Sequence, residues 1–333
     1  MGALDRMTHI GLLSLSLFGS AWLSVCTKDG AAMDTPLLKP EIDGDWWQVA
    51  GNPDLGAYTT AKQQPVDFAI WQAADGTWQL WSCIRYTNCG GHTRLFYRWE
   101  GKNLTDTNWK PTGIALQADT SVGEQHGGLQ APHVIRVGTT YYMFYGDFDR
   151  ICLATSEDGK SFERVLNENG QPDLFSGPWD NTRDPMTIRV NNAYYCYYTG
   201  HTAVQDRTAT GADFCRISGD LRTWTHPYMV AFGGPAGRGP GSAECVHVVH
   251  REDVGLYYLF RTQSYGHDNI STVYASPDPL NFGIDDDRYC VGTLPVAAPE
   301  IIANYEGHDY IAALLPSLKG IRVARLRWVQ AKR

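Results

Sequence analysis

Three kinds of signal are missing from this 333-residue chain. No basic run occurs, and 28 Lys and Arg against 36 Asp and Glu leave a net charge of −8. A nucleic-acid binder needs Lys and Arg gathered into a stripe, so nucleic acid is excluded as a partner. No CxxC or HExxH is present, so no metal motif is legible and no cofactor is required. Between the apolar segments, no stretch of real length repeats with the 3.6-residue period of a helix. What the chain does hold is aromatic: 11 Trp, 18 Tyr and 11 Phe. Flat rings suit pleated surfaces. They also suit sugar binding, although core packing accounts for most of them.

The N-terminus reads differently. "IGLLSLSLFGSAWLSVC", Ile10 to Cys26, is a continuous apolar run, followed by the polar "TKDGAAMDTP". It is short for a membrane span. With Arg6 and His9 ahead of it, it reads as an export signal. "LSVC" is similar to a lipoprotein box ending at Cys26, with an atypical Val before the Cys. Residues 1–30 are therefore expected to be an export or lipoprotein signal with a flexible leader. Residues 31–333 are expected to form one exported catalytic domain, touching a membrane only through a lipid at Cys26. The alternative is an ordinary buried helix. Of eight Cys, seven remain without Cys26, and an odd number argues against a full disulfide framework. Cys83 and Cys89 are placed to close a small loop. Cys152, Cys196, Cys215 and Cys245 sit in apolar strand patterns, as small buried hydrophobes.

The organising feature is a repeat. Five segments align: "PVDFAIWQAADGTWQLWSC" (65–83), "APHVIRVGTTYYMFYGD" (131–147), "TRDPMTIRVNNAYYCYYTG" (182–200), "SAECVHVVHREDVGLYYLFRT" (242–262) and "AAPEIIANYEGHDYIAAL" (297–314). Each carries a polar residue (Asp67, His133, Asp184, Glu244, Glu300), an alternating strand, a turn, and a second strand opening on an aromatic. A further element recurs downstream in "CLATSEDGKSFE" (152–163), "CRISGDLRTWT" (215–225) and "VYASPDPLNF" (273–282), and loosely in "FYRWEGKNLTDTNW" (96–109). Each is a strand, a Ser/Asp/Gly turn and an aromatic. Five units of about four strands predict an all-β fold, a five-bladed β-propeller with four-stranded antiparallel blades. "GDWWQVAGN" (44–52) is placed to close the ring beside the last blade. A β-sandwich is the runner-up, but it would not demand a polar residue at the head of each unit.

In a propeller the first strand of each blade lines the axis, so the five polar positions are expected to converge. Four are acids. Crowding acids at a partly dry site costs energy through repulsion and desolvation, and a structural ring would be better made of Asn, Ser or Thr. That cost points to function. Carboxylates in unlike settings divide into acid and base, as glycosidic cleavage requires.

The arrangement resembles the five-bladed propeller glycosidases, above all glycoside hydrolase family 43 (arabinanases, arabinofuranosidases, xylosidases) and family 32 (invertases and fructanases). In those families an Asp heads the first blade, a second Asp the third, and a Glu the fourth. The matching positions are Asp67, Asp184 and Glu244. "RDP" at 183–185 and "EC" at 244–245 are similar to the family 32 spellings, and "APHVIRVGTTYYMFYGD" resembles the second-blade strand of both families. The resemblance covers residues 45–328. The chain departs at "VDF", which lacks the Asp-Pro of the first blade, in having no Pro after Glu-Cys, and at Glu300. A divergent relative is implied, with its sugar left open.

The resemblance implies a glycosidase acting on a plant, algal or microbial glycan. Glu244 would protonate the departing oxygen, unless it is a buried Glu paired with an Arg such as Arg261. Asp67 would be the base, or the nucleophile in a retaining enzyme; family 43 implies inversion. Asp184 would bind hydroxyls and tune Glu244. Asp54, in "GNPDLG", is a rival first-blade acid that heads no paired strand. Substrate contacts are expected from His133, Arg183, Glu300, Arg261, His267 and His126, and stacking platforms from Trp46, Trp47 and Trp179. A divalent ion on the axis would leave no readable signature. Two other functions fit a propeller: a phosphorylase, needing a phosphate clamp from Arg183, Arg261 and His267, or a non-catalytic glycan-binding module.

Overall fold

Alternating apolar residues bounded by tight turns make strands, and here every repeat unit becomes one antiparallel sheet. The computed structural model describes residues 36–179, 181–202 and 210–331. The expected signal at 1–30, with Cys26, lies outside them. Blade I comprises Gln64–Gln72, Trp78–Arg85, Leu95–Gly101 and Lys110–Leu116. Blade II comprises Leu129–Val137, Thr140–Asp147, Arg150–Ser156 and Asp173–Ser176, with the short Glu163–Arg164 beside the third strand. Blade III comprises Arg183–Val190, Ala193–His201, Gly211–Ser218 and Tyr228–Phe232, and blade IV comprises Glu244–Arg251, Leu256–Ser264, Ile270–Ser276 and Cys290–Leu294. Blade V takes Glu300–Tyr305, His308–Leu314 and Gly320–Gln330 from the end of the described chain. Its fourth strand, Leu38–Gly51, comes from the beginning and pairs antiparallel with Gly320–Gln330. The expected closure is therefore present, in a longer strand than "GDWWQVAGN".

The recurring Ser/Asp/Gly element is a turn with the same bonds each time. Asp158 Oδ1 accepts from the amides of Lys160 and Ser161, Asp220 Oδ1 from those of Arg222 and Thr223, and Asp278 Oδ1 from that of Leu280. An Asx side chain mimics the backbone there. Each turn delivers its aromatic onto the preceding blade. Phe162 packs edge-on against Trp71 and Trp81, Trp224 against Phe144 and Phe175, and Phe282 against Tyr197. The looser copy behaves alike: Trp109 donates its amide to the Val49 carbonyl of the closing strand. Its ring lies so near Gly101 that a Cβ there would sit 2.4 Å from it. The core thus lies between blades, where two sheet faces exclude water together.

Five non-glycine residues with left-handed backbone recur at the inner strands: Asp67 (φ 39°), Ala131 (39°), Asp184 (54°), Cys245 (44°) and Ala298 (49°). The first four sit in register shifts of the first strand, and Ala298 just precedes blade V's first strand. Bulges of this kind re-aim a side chain. Because two alanines share the conformation, its cost of about 1 kcal/mol or more per residue belongs to the fold rather than to the acids.

Candidate active site

The equivalent heads of the inner strands are those five left-handed residues. The polar residues aligned by sequence are only partly the same. Asp67 and Asp184 are heads. Glu244 precedes its head, Cys245, by one residue. His133 and Glu300 follow Ala131 and Ala298 by two, and so lie on the same strand face one layer deeper.

In the upper layer, Asp67 Oδ1 accepts from the Tyr265 hydroxyl at 3.1 Å and from the Cys245 thiol at 3.1 Å. Burial, reinforced by the charge of Asp67, pushes both groups well above their usual pKa, so both stay protonated as donors. Asp67 Oδ2 has no protein donor among the described residues. Asp184 is 4% exposed, and its Oδ2 accepts from the Cys245 amide at 3.0 Å. Burial pushes its pKa up to about 7; Arg183 opposes this, and Asp67 and Glu244 add to it. Glu244, like Asp67, is partly exposed. Arg183 forks onto it, Nη2 to Oε1 at 2.6 Å and Nε to Oε2 at 3.3 Å. Arg183 Nε also lies 3.7 Å from Asp184 Oδ2. Burial works against the Arg183 charge, but Glu244 and Asp184 more than offset it and raise its pKa.

These side chains open into a cavity of about 260 Å³. Asp67, Asp184, Glu244, Arg183 and Tyr265 line it, together with Arg85 and Arg94. Below it, a throat of about 20 Å³ runs between Asp67, Asp184, Cys245 and Glu300, with room for about one water. In the deeper layer Glu300 faces two histidines, Oε2 4.0 Å from His133 Nδ1 and Oε1 3.5 Å from His247 Nδ1. Both nitrogens are buried and have no hydrogen-bond partner among the described residues. His133 Nε2 lies 3.2 Å from the Thr187 carbonyl, and burial lowers the His133 pKa, favouring the neutral ring. The Ile301 amide donates to His247 Nε2 at 3.2 Å, so His247 Nδ1 carries a proton toward Glu300. Only His133 Nδ1 and Glu300 would remain to meet a divalent ion on the axis, too few to make a site. Ligand atoms of Asp67, Asp184 and Cys245 also lie within 4.8 Å of one another. There the thiol and the Cys245 amide already serve the carboxylates.

Several expected contacts lie elsewhere. Arg261 does not reach the cavity: its side chain is fully buried. It donates to the Ser242 carbonyl at 2.7 Å and the Ser242 hydroxyl at 3.0 Å, and its Nε lies 3.6 Å from Asp213. It anchors the segment leading into Glu244, and the Arg that pairs with Glu244 is Arg183. His126, on a loop, and His267, in the one-turn 3-10 helix Gly266–Asp268, are exposed and do not line the cavity. Trp46 lies under the Arg322 guanidinium, Trp47 packs on Tyr310, and Trp179 is exposed. Asp54 caps a turn, accepting from the Gly56 amide and the Thr59 hydroxyl. Cys83 and Cys89 are both free, with thiols donating to the Leu129 and Arg94 carbonyls. Cys152, Cys196 and Cys215 are buried as expected, but Cys245 faces the site. Sequence reading missed Tyr265, Arg85 and Arg94. Their one signal is position: Arg85 ends its blade's second strand, Tyr265 follows the end of one, and Arg94 precedes a third strand, all at the rim where the inner strands begin.

No family model matches the chain, and no curated protein does. Solved structures do. One is a thermostable family-43 glycoside hydrolase, 16% identical over 80% of this chain and 89% of its own, with a TM-score of 0.60. Another is an endo-arabinase from Bacteroides thetaiotaomicron, 14% identical over 84% of this chain and 100% of its own, at 0.61. A third comes from family 130, described as mannoside phosphorylases containing glycoside hydrolases; it is 13% identical over 86% and 96%, at 0.54. The likeness establishes the shared fold, the five-bladed propeller.

Proposed function

We propose that this chain is a glycoside hydrolase that cleaves a glycosidic bond in a plant, algal or microbial glycan or oligosaccharide. One observation carries the reading: Asp67, Asp184 and Glu244 converge on one cavity in three unlike settings. Asp67 has Oδ1 fixed by two donors that burial keeps protonated, and its other oxygen has no protein donor among the described residues. Asp184 is buried and holds a proton near neutrality. Glu244 is partly exposed and gripped by an Arg. Glycosidic cleavage needs an acid and a base of this kind. The fold shared with a family-43 glycoside hydrolase and an endo-arabinase supports the reaction class.

In this reading Glu244 protonates the departing oxygen, Asp67 activates water on the opposite face in an inverting course, and Asp184 tunes the pair. A second assignment has its own support. Arg183 occupies both oxygens of Glu244 in the free protein, while Asp184 is the carboxyl pushed up to about 7. In that case Asp184 is the donor, and Glu244 orients Arg183.

A screen of aryl glycosides and polysaccharides, with product NMR, tests the function. Cleavage with an inverted anomeric centre is expected, and Asp67→Asn is expected to lower turnover at least about a hundredfold. Sugar bound but left unchanged on long incubation would make the chain a glycan-binding module. Turnover that depends on phosphate would make it a phosphorylase.

A further inference from the structure

We propose that the substrate of this site carries an oxyanion on its sugar, a carboxylate or a sulfate ester, and that Arg85 and Arg94 hold it. The proposal rests on the glycosidase reading and narrows its substrate class. The two arginines belong to one hairpin of blade I, whose last pair is Ile84 and Leu95. Arg85 and Arg94 occupy the next facing positions and so share a sheet face. Like charges set opposite each other destabilise a hairpin. A turn needing only structure would be better served by one charge of each sign.

Neither arginine forms an ion pair among the described residues. Arg85 spends one donor, Nε to Gln64 Oε1 at 2.9 Å, and its guanidinium lies 5.9 Å from the centre of the Tyr265 ring. The Arg94 guanidinium lies 4.8 Å from the centre of the Phe148 ring. Aromatic faces position a guanidinium plane without consuming its N–H donors. Arg183, the third arginine of the cavity, is already committed to Glu244. Two oriented cations with unspent donors therefore face a space that also holds three carboxylates. A neutral sugar would take single hydrogen bonds from them, whereas an oxyanion takes two at once from a fork. An anionic one would be repelled by the carboxylates unless something offset that repulsion. Paired guanidinium groups do this, and their planar forks match carboxylate and sulfate geometry. Inorganic phosphate shares that chemistry and is the other source to distinguish.

Direct binding tests the proposal independently of catalysis. Calorimetric titration of the full chain would use glucuronate, galacturonate and galactose 6-sulfate, with glucose and galactose as neutral controls. At least one anionic sugar is expected to bind about tenfold or more tighter than its neutral counterpart. Arg85→Ala and Arg94→Ala are each expected to abolish that preference without lowering Tm. Turnover of a matched pair, such as oligogalacturonate and its methyl ester, should follow the same pattern, with the loss in KM. If phosphate alone binds and turnover requires it, the arginines serve a free co-substrate and the sugar-borne assignment falls. A preference that is absent, or unchanged in both variants, overturns the proposal even if a neutral glycan is cleaved. Arginine-dependent binding with no glycan cleaved would sink the hydrolase reading and leave the oxyanion site standing.

Discussion

Arg183 grips Glu244 through two donors, at 2.6 and 3.3 Å, while the adjacent Asp184 touches the same guanidinium only at 3.7 Å. The fork occupies both oxygens of Glu244, and burial favours a proton on Asp184. Before substrate arrives, the site therefore holds its proton on the residue that resemblance makes the tuner. For Glu244 to act as the acid, Arg183 must find other acceptors as the sugar enters.

Leaving-group dependence separates the two assignments. An acid matters most for a poor leaving group and little for an activated phenol. If Glu244 is the donor, Glu244→Gln lowers kcat/KM on alkyl glycosides by about a hundredfold or more. On dinitrophenyl glycosides the loss should be within about tenfold. Asp184→Asn should then lower both alike. The reverse pattern would transfer the role to Asp184.

The buried Asp184 also predicts how stability depends on pH. Its pKa rises from 3.8 to about 7 on folding. Between those values the folded chain keeps a proton that the unfolded chain has lost. The resulting stabilisation is complete below about pH 4 and disappears as pH rises through about 7. Asp213, also raised to about 7 by burial, adds a second decline over the same range. Asp184→Asn should flatten part of the fall in Tm between about pH 4.5 and 7.5 and melt higher than the native chain above pH 7. Identical pH profiles of Tm would show that Asp184 is not held protonated.

The propeller was legible because its determinants are local. Asx turns, alternating strands and second-strand aromatics each leave a mark on the sequence, and the closing strand followed from needing a partner for the last blade. The site was legible where a carboxylate stood at a left-handed bulge, as at Asp67 and Asp184. It was misaligned where the bulge residue was Ala131 or Ala298, because an alanine does not advertise a positive φ. The nearest polar residues, His133 and Glu300, stand two positions further on. Arg261 is expected from sequence to pair with Glu244 or to clamp phosphate, but its partners are the carbonyls of Ser242, Gly233, Gly211 and Gly237 and the Ser242 hydroxyl, which leave no trace in sequence. Tyr265 lay in a stretch with no periodicity, and its contact with Asp67 spans 198 residues.

That contact supports the last prediction. Tyr265 and Cys245 both donate to Asp67 Oδ1, and burial keeps both protonated. They act through Asp67 rather than on substrate, so they are positioning residues. With Oδ1 pinned, Asp67 keeps one oxygen without a protein donor among the described residues, on a residue that lines the cavity. A hydrogen bond to a charged group is worth about 1.5–3 kcal/mol, or roughly tenfold to a hundredfold in rate if it acts at the transition state. Tyr265→Phe removes the donor and keeps the ring. It is expected to lower kcat about tenfold or more, with KM and Tm nearly unchanged. Cys245→Ser keeps a donor and should lose less than Cys245→Ala. Because both donors serve one oxygen, the losses in Tyr265→Phe and Cys245→Ala should not add in the double variant. A Tyr265→Phe enzyme within about twofold of native kcat would mean that Asp67 is held in place by the bulge alone.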